Sequence, residues 1–308
     1  MICINELKFG YKRKKPLYEG ISFALRPGRI YGLLGENGTG KSTLLYLICG
    51  LLHPQRGNVT YLGAKTLQRT PAQLASLYLI PEEVELPKTK LSNYLKVYAP
   101  FYPNFSKERM SHCLKSFGLD EEQNLGALSM GQKKKVIISF ALASGVPLIL
   151  MDEPTNGLDI PGKSIFRQLI AETQTDDCTI LISTHQAADI DRMLDDVIIL
   201  EKGGLRLQAS VEHICQRLTF VPQASGDEFE GHILYKQPNA GGHSLVMKNA
   251  HGAESSFNLE LLFNALRHNP QAVEALLNAP EKGEECSTPP QEAATTTEQE
   301  PNTSESHE

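Results

Sequence analysis

An α/β fold is predicted by three stretches of the chain. Apolar Ile30-Tyr31-Gly32-Leu33-Leu34 runs into Gly35-Glu36-Asn37-Gly38-Thr39-Gly40-Lys41-Ser42 and then into Thr43-Leu44-Leu45-Tyr46-Leu47-Ile48, a strand, a glycine-rich loop and a helix. Apolar Leu148-Ile149-Leu150-Met151 ends in Asp152-Glu153, and Thr179-Ile180-Leu181-Ile182-Ser183-Thr184 ends at His185, with helical sequence before each. Buried strands alternating with helices are the pattern of an α/β domain.

The loop pattern G-x-x-x-x-G-K-[ST] suits a polyphosphate. Backbone N–H groups turn inward only where no Cβ obstructs them, and the next helix aims its partly positive N-terminus at the same point. Gly35, Gly38 and Gly40 supply the freedom, and Asn37 and Thr39, in the same loop, are expected to bind the phosphates with them. Lys41 is expected to reach the β- and γ-phosphates, Ser42 to ligate Mg²⁺, and Thr43 to face the α-phosphate.

The 308 residues, 41% hydrophobic and 21% charged, allow one large domain plus an appendage. A net charge of -6 argues against a general nucleic-acid binder. Six cysteines (Cys3, Cys49, Cys113, Cys178, Cys215, Cys286) form no C-x-x-C pair, which indicates neither a disulfide framework nor a zinc site and fits a reducing cytosol. The first residues lack the basic start and apolar core of a secretory signal. The apolar stretch 136–151 is broken by Ser144, Gly145 and Pro147 and is too short to span a bilayer, so a soluble chain is expected unless a partner holds it to a membrane.

In chain order, Ile2–Phe9 and residues 21–25 read as strands of a small antiparallel sheet ahead of the main one. Between them, the cations of Tyr11-Lys12-Arg13-Lys14-Lys15-Pro16 read as a solvated loop; Tyr11 either stacks on a purine or packs its ring against the sheet edge. Strands are expected at 58–62 and Leu77–Ile80. Residues 91–117, rich in aromatics (Tyr94, Tyr98, Phe101, Tyr102, Phe105) and broken by Pro100 and Pro103, read as a helical insert whose rings form core or a groove for a partner helix. Leu128-Ser129-Met130-Gly131-Gln132 opens a further helix, for which Ser129 is a fair N-cap.

Taken together, in this order and spacing, these motifs resemble the ATP-binding subunit of ABC transporters over about residues 2–217. The resemblance implies a P-loop NTPase with a RecA-like parallel sheet, an antiparallel N-terminal β subdomain and an inserted helical subdomain at about 84–130. Residues 35–42 take the Walker A role, and Ser129, Gly131 and Gln132 match the signature, with Met130 in place of its first glycine. Asp152 and Glu153 match Walker B and its catalytic glutamate, 156–159 the D-loop and His185 the switch histidine. Tyr11 falls where the family stacks an aromatic on adenine. By that likeness Lys41 and Mg²⁺ carry the electrostatics, Asp152 holds the metal, Glu153 polarises the attacking water and His185 senses the γ-phosphate. Ser129 and Gly131 would reach the γ-phosphate of a second subunit, which implies a head-to-tail dimer around two ATP molecules. Glu82 stands where the family has a metal-contacting Gln; it is expected to ligate Mg²⁺, adding a third negative charge that slows hydrolysis or retains a proton. Lys133, Lys134 and Lys135 read as a solvated helix face.

A helix is expected at 189–194 and a closing hairpin at 197–207. The cassette then ends near Arg217, and a small α+β appendage follows at 218–279, with a hairpin pairing 232–235 with 244–247 and a helix carrying Leu259, Leu262, Phe263 and Leu266. It reads equally as a dimer contact, a regulatory piece or inert covering. Residues 280–308, dominated by Glu, Thr, Ser and Pro, read as a disordered tail. The function expected is an ATPase subunit that dimerises on ATP and drives a separately encoded membrane permease from the cytoplasmic face, with exporter-like features. The alternative is a soluble ABC ATPase of an assembly machine, such as iron–sulfur scaffold loading. A single cassette disfavours paired-cassette translation factors, and the lack of a long heptad insert disfavours coiled-coil DNA-repair ATPases.

Overall fold

The computed structural model describes residues 1–12, 15–224, 233–239, 242–249 and 255–278. Its centre is a six-stranded sheet in the order Gly204–Ser210, Asp196–Glu201, Ile30–Leu34, Thr179–Thr184, Leu148–Asp152, Leu77–Ile80. All neighbours are parallel except the first pair, the expected closing hairpin. Ile30–Leu34, Leu148–Asp152 and Thr179–Thr184 are buried at every position, as strands covered on both faces must be. Leu34 lies beside Thr184, and Asp152 beside Ser183. The strands therefore end together and deliver the glycine loop, the acidic pair and His185 to one edge, the usual ligand position in a parallel sheet.

The expected N-terminal sheet is present as four antiparallel strands, Tyr18–Leu25, Ile2–Phe9, Arg56–Tyr61 and Ala64–Lys65. The insert contains the helices Leu91–Tyr98 and Lys107–Ser116. Its rings divide by role. Tyr94, Tyr102 and Phe105 surround Phe140 at centroid distances of 5.5, 5.7 and 5.1 Å, whereas Tyr98 and Phe101 remain exposed.

Two expectations need correction. The helix expected at 189–194 is a pair of short 3₁₀ turns, Ala187–Asp189 and Asp191–Met193. Between them Ile190, at φ −129°, leaves helical geometry and buries its side chain in the core. Residues 218–224, where no strand was expected, form Leu218–Ala224, an edge strand of a three-stranded sheet with Gly242–Lys248 and Ile233–Asn239. Pro222 argues against a strand, and an edge is where it is tolerated. The helices Leu259–His268 and Pro270–Leu277 follow, and 1–277 packs as one unit. Arg206 links the hairpin to the last helix by pairing with Glu201 and with Glu274, the latter at 2.7 Å. The expected disordered tail lies outside the described residues.

Candidate nucleotide site

The glycine loop is shaped by contacts that leave no room for side chains. A Cβ at Gly35 would lie 2.6 Å from the Leu200 carbonyl oxygen, and Gly40 adopts φ +106° against the Tyr18 ring. The buried Tyr18 hydroxyl donates to the Gly40 carbonyl, and burial pushes its pKa up, so it stays a donor. Thr39 Oγ1 donates to Glu36 O at 2.9 Å, closing the turn. The helix Lys41–Ile48 then starts with no side-chain cap, leaving its first N–H groups for an anion. Lys41, only 7% exposed, bends back to donate to Gly35 O at 2.9 Å and stands 3.9 Å from Glu153 Oε1.

Across the loop, Asp152 is buried and accepts from Ser183 Oγ. Glu153 takes φ +46°, a left-handed conformation uncommon for a residue with a Cβ. Its amide donates to Ser183 O at 3.0 Å. Its carboxylate receives His185 Nδ1 at 2.8 Å, and the His185 backbone N–H at 3.4 Å. Ionised, the carboxylate only accepts, so Nδ1 carries the proton. His185 is thus oriented by Glu153.

A cleft of about 490 Å³ is lined by Tyr11, Leu17, Asn37, Gly38, Gly40, Lys41, Ser42, Thr43, Glu82, Glu153 and His185, whereas the buried Asp152 does not line it. The Tyr11 ring is exposed at its rim, with the hydroxyl 3.2 Å from Thr43 Oγ1 and the ring edge-to-face with Phe9. The cleft is of ligand size, with one wall able to donate to phosphates. The oxygen donors Ser42, Asp152 and Glu82 suit a hard cation, and no group of three His, Cys, Asp or Glu forms a metal cluster among the described residues. Oxygen donors of this kind are those that Mg²⁺ takes.

Ser129, Gly131 and Gln132 do not line this cleft. Ser129 caps the helix Met130–Ala143 in a reciprocal box: Gln132 N donates to Ser129 Oγ at 3.3 Å, and Ser129 N donates to Gln132 Oε1 at 3.0 Å. A Cβ at Gly131 would lie 2.6 Å from the Gly157 carbonyl oxygen, so this glycine lets the 156–159 loop approach. Met130 projects outward, 70% exposed.

The solvated face expected at Lys133–Lys135 is a further correction. Lys134 is 2% exposed and donates to the carbonyl oxygens of Glu82 at 2.7 Å and Glu153 at 3.0 Å. Burial lowers its pKa, opposed by the charges of Glu82, Asp152 and Glu153. Lys135 pairs with Asp159 at 2.9 Å. Helical spacing held the clue: Lys134 lies three and four residues before Ile137 and Ile138, on their buried face. Tyr18 was missed as well, since nothing local in sequence ties a strand tyrosine to a loop 22 residues away.

The sequence profile of the ABC transporter family matches residues 18–156. The ABC transporter ATP-binding protein NatA of Bacillus subtilis is 31% identical over 226 residues, 70% of this chain and 91% of NatA. The SkfA peptide export ATP-binding protein SkfE of the same organism is 34% identical over 61% of this chain and 80% of its own length. Among solved structures, the dimeric post-hydrolysis state of the ATP-binding cassette MJ0796, bound to ADP and Pi, superposes with a TM-score of 0.60 at 26% identity, covering 68% of this chain and 98% of that one. The glycine loop, the acidic strand end and the capped signature helix thus sit on a fold shared with these proteins, and the chain belongs to the ABC transporter family as an ATP-binding, ATP-hydrolysing subunit.

Proposed function

We propose that this subunit hydrolyses ATP in a site completed by a second copy of the cassette, residues 1–217, and that it drives a separate membrane permease, in the export direction. The observation that carries this reading is the division of the site residues. Lys41, Glu82, Glu153 and His185 line one cleft, while Ser129 and Gly131, whose hydroxyl and N–H would complete a γ-phosphate pocket, lie outside it. A head-to-tail pair brings the two sets together, and MJ0796, a dimer with ADP and Pi, supports such a pair.

In this reading the loop amides with Lys41 and Thr43 bind the phosphates, and Tyr11 stacks on the base. Ser42, Asp152 and Glu82 would hold Mg²⁺, which would supply charge neutralisation at the phosphates. Glu153 accepts a proton from the attacking water. His185, oriented by the same carboxylate, reports on the terminal phosphate. Among the described residues no helix is long and apolar enough to cross a membrane, and in this reading the permease supplies the membrane-spanning part. An apolar cleft of about 660 Å³, lined by Leu51, Leu74, Leu79, Tyr98, Pro100 and Phe101, supports docking of an apolar permease segment. That contact would hold the subunit at the cytoplasmic face. Export rests on the likeness to SkfE.

The test is Glu153→Gln weighed in solution with Mg-ATP. Loss of turnover with a stable, nucleotide-dependent pair is expected; a monomer under all conditions together with undiminished turnover refutes the reading.

A further inference from the structure

A lysine buried beside three carboxylates is unusual unless its charge is used, because an unpaired buried ammonium is among the costliest groups to fold. Lys134 is such a residue. Its ammonium makes no hydrogen bond to those carboxylates. It donates to two backbone carbonyls, Glu82 O at 2.7 Å and Glu153 O at 3.0 Å, and so bridges the two loops that flank the cleft. The second carbonyl belongs to a residue held at φ +46°. A left-handed residue with a Cβ persists only where its surroundings impose it, and here the carbonyl is fixed by Lys134 Nζ and by Asn156 N at 3.2 Å. The same helix carries Ser129 at its cap, so Lys134 lies within the first two turns of the signature.

We propose that Lys134 is a positioning residue for hydrolysis. It locks Glu153 in the left-handed turn that aims its carboxylate into the cleft and sets the Glu82 loop opposite, so the signature helix and the hydrolytic centre of one chain move as a unit. The charge also offsets the repulsion among Glu82, Asp152 and Glu153, which allows an acid at position 82. The proposal rests on the reading of Glu153 as the base.

Turnover and ATP affinity should therefore separate. Lys134→Met, which keeps the apolar stem and loses every donor, is expected to lower kcat at least about tenfold, since small misplacements of a reacting group cost that much or more, and to leave KM for ATP within about twofold. Lys134→Arg, which keeps a cation and several donors, should turn over faster than Lys134→Met. Cooperative thermal unfolding establishes that each variant is folded; if Lys134→Met is not, Lys134→Leu, which also lacks every donor, takes its place with the same expectation. A folded Met or Leu variant with kcat within twofold of wild type overturns the proposal, as does an Arg variant no faster than the donor-free one. Glu153→Gln is assayed alongside. If it retains turnover, the role of Glu153 fails, whatever the lysine variants do; if it is dead while the lysine variants are fast, only the present proposal fails.

Discussion

Replacing Ser129 by aspartate separates the cap that the serine forms on its own helix from the role proposed for it, facing a phosphate on another subunit. Within the chain, Ser129 Oγ accepts from Gln132 N at 3.3 Å, and the reciprocal bond from Ser129 N to Gln132 Oε1 at 3.0 Å needs no serine side chain. Ser129→Ala should lose only the first. At a cap this accessible the loss is about 0.5–1 kcal/mol, or about 1–4 °C in Tm for a domain of this size. Aspartate caps as well as serine does and adds about 0.3–1 kcal/mol from its charge at the helix N-terminus. Ser129→Asp should therefore melt no lower than wild type in the absence of nucleotide. Against a terminal phosphate the sign reverses. A carboxylate at about 4 Å and an effective dielectric of about 20 costs about 4 kcal/mol, close to a thousandfold in nucleotide-dependent pairing. Differential scanning fluorimetry reads the first quantity, and light scattering of the Glu153→Gln background with Mg-ATP reads the second. A Ser129→Asp protein that pairs and hydrolyses like wild type refutes the phosphate-facing role; one that melts several degrees lower refutes the capping argument.

Tyr18→Phe removes the hydroxyl that donates to the Gly40 carbonyl, which keeps the Leu44 N–H at 2.8 Å as its other donor, a loss of about 0.5–1.5 kcal/mol. It should appear as a lower Tm or as ATP affinity weakened about tenfold by calorimetry, and no change in either would show that the bond does not shape the loop. Burial pushes the Cys49 thiol up to about 12 and those of Cys113 and Cys178 up to about 11. Alkylation of the native protein at pH 8, mapped by peptide mass spectrometry, should modify the partly exposed Cys3 and spare these three until the chain unfolds. Because their folded pKa values are raised, their contribution to stability is complete below the unfolded value of about 8.5 and falls as pH climbs toward 11 or 12. The unfolding midpoint should accordingly drop in alkali.

What could be read from the sequence was what local pattern determines. The glycine loop, the acids at the end of a buried strand and the histidine at the end of the next are each written within a few residues, and the sheet brings them together because its parallel strands end in register. What could not be read depends on partners distant in the chain. Three lysines in a row look solvated because charge runs usually are. The middle one is buried because the 82 and 153 loops turn their carbonyls toward it, and neither turn is encoded near residue 134. The strand Leu218–Ala224 was hidden by its own proline, which only an edge position excuses. Ser129 shows the converse, since the cap visible in the sequence is real, yet a cap alone does not require glycine at 131. That requirement arises where the 156–159 loop meets the signature helix, and it sets the surface proposed to touch a second nucleotide against the loop that follows the strand Leu148–Asp152. Lys135 to Asp159 and Lys134 to Glu153 repeat the link with two cations. A movement of this helix would therefore be felt at Glu153 and at the loop after it through the Lys134 and Lys135 contacts of the same chain.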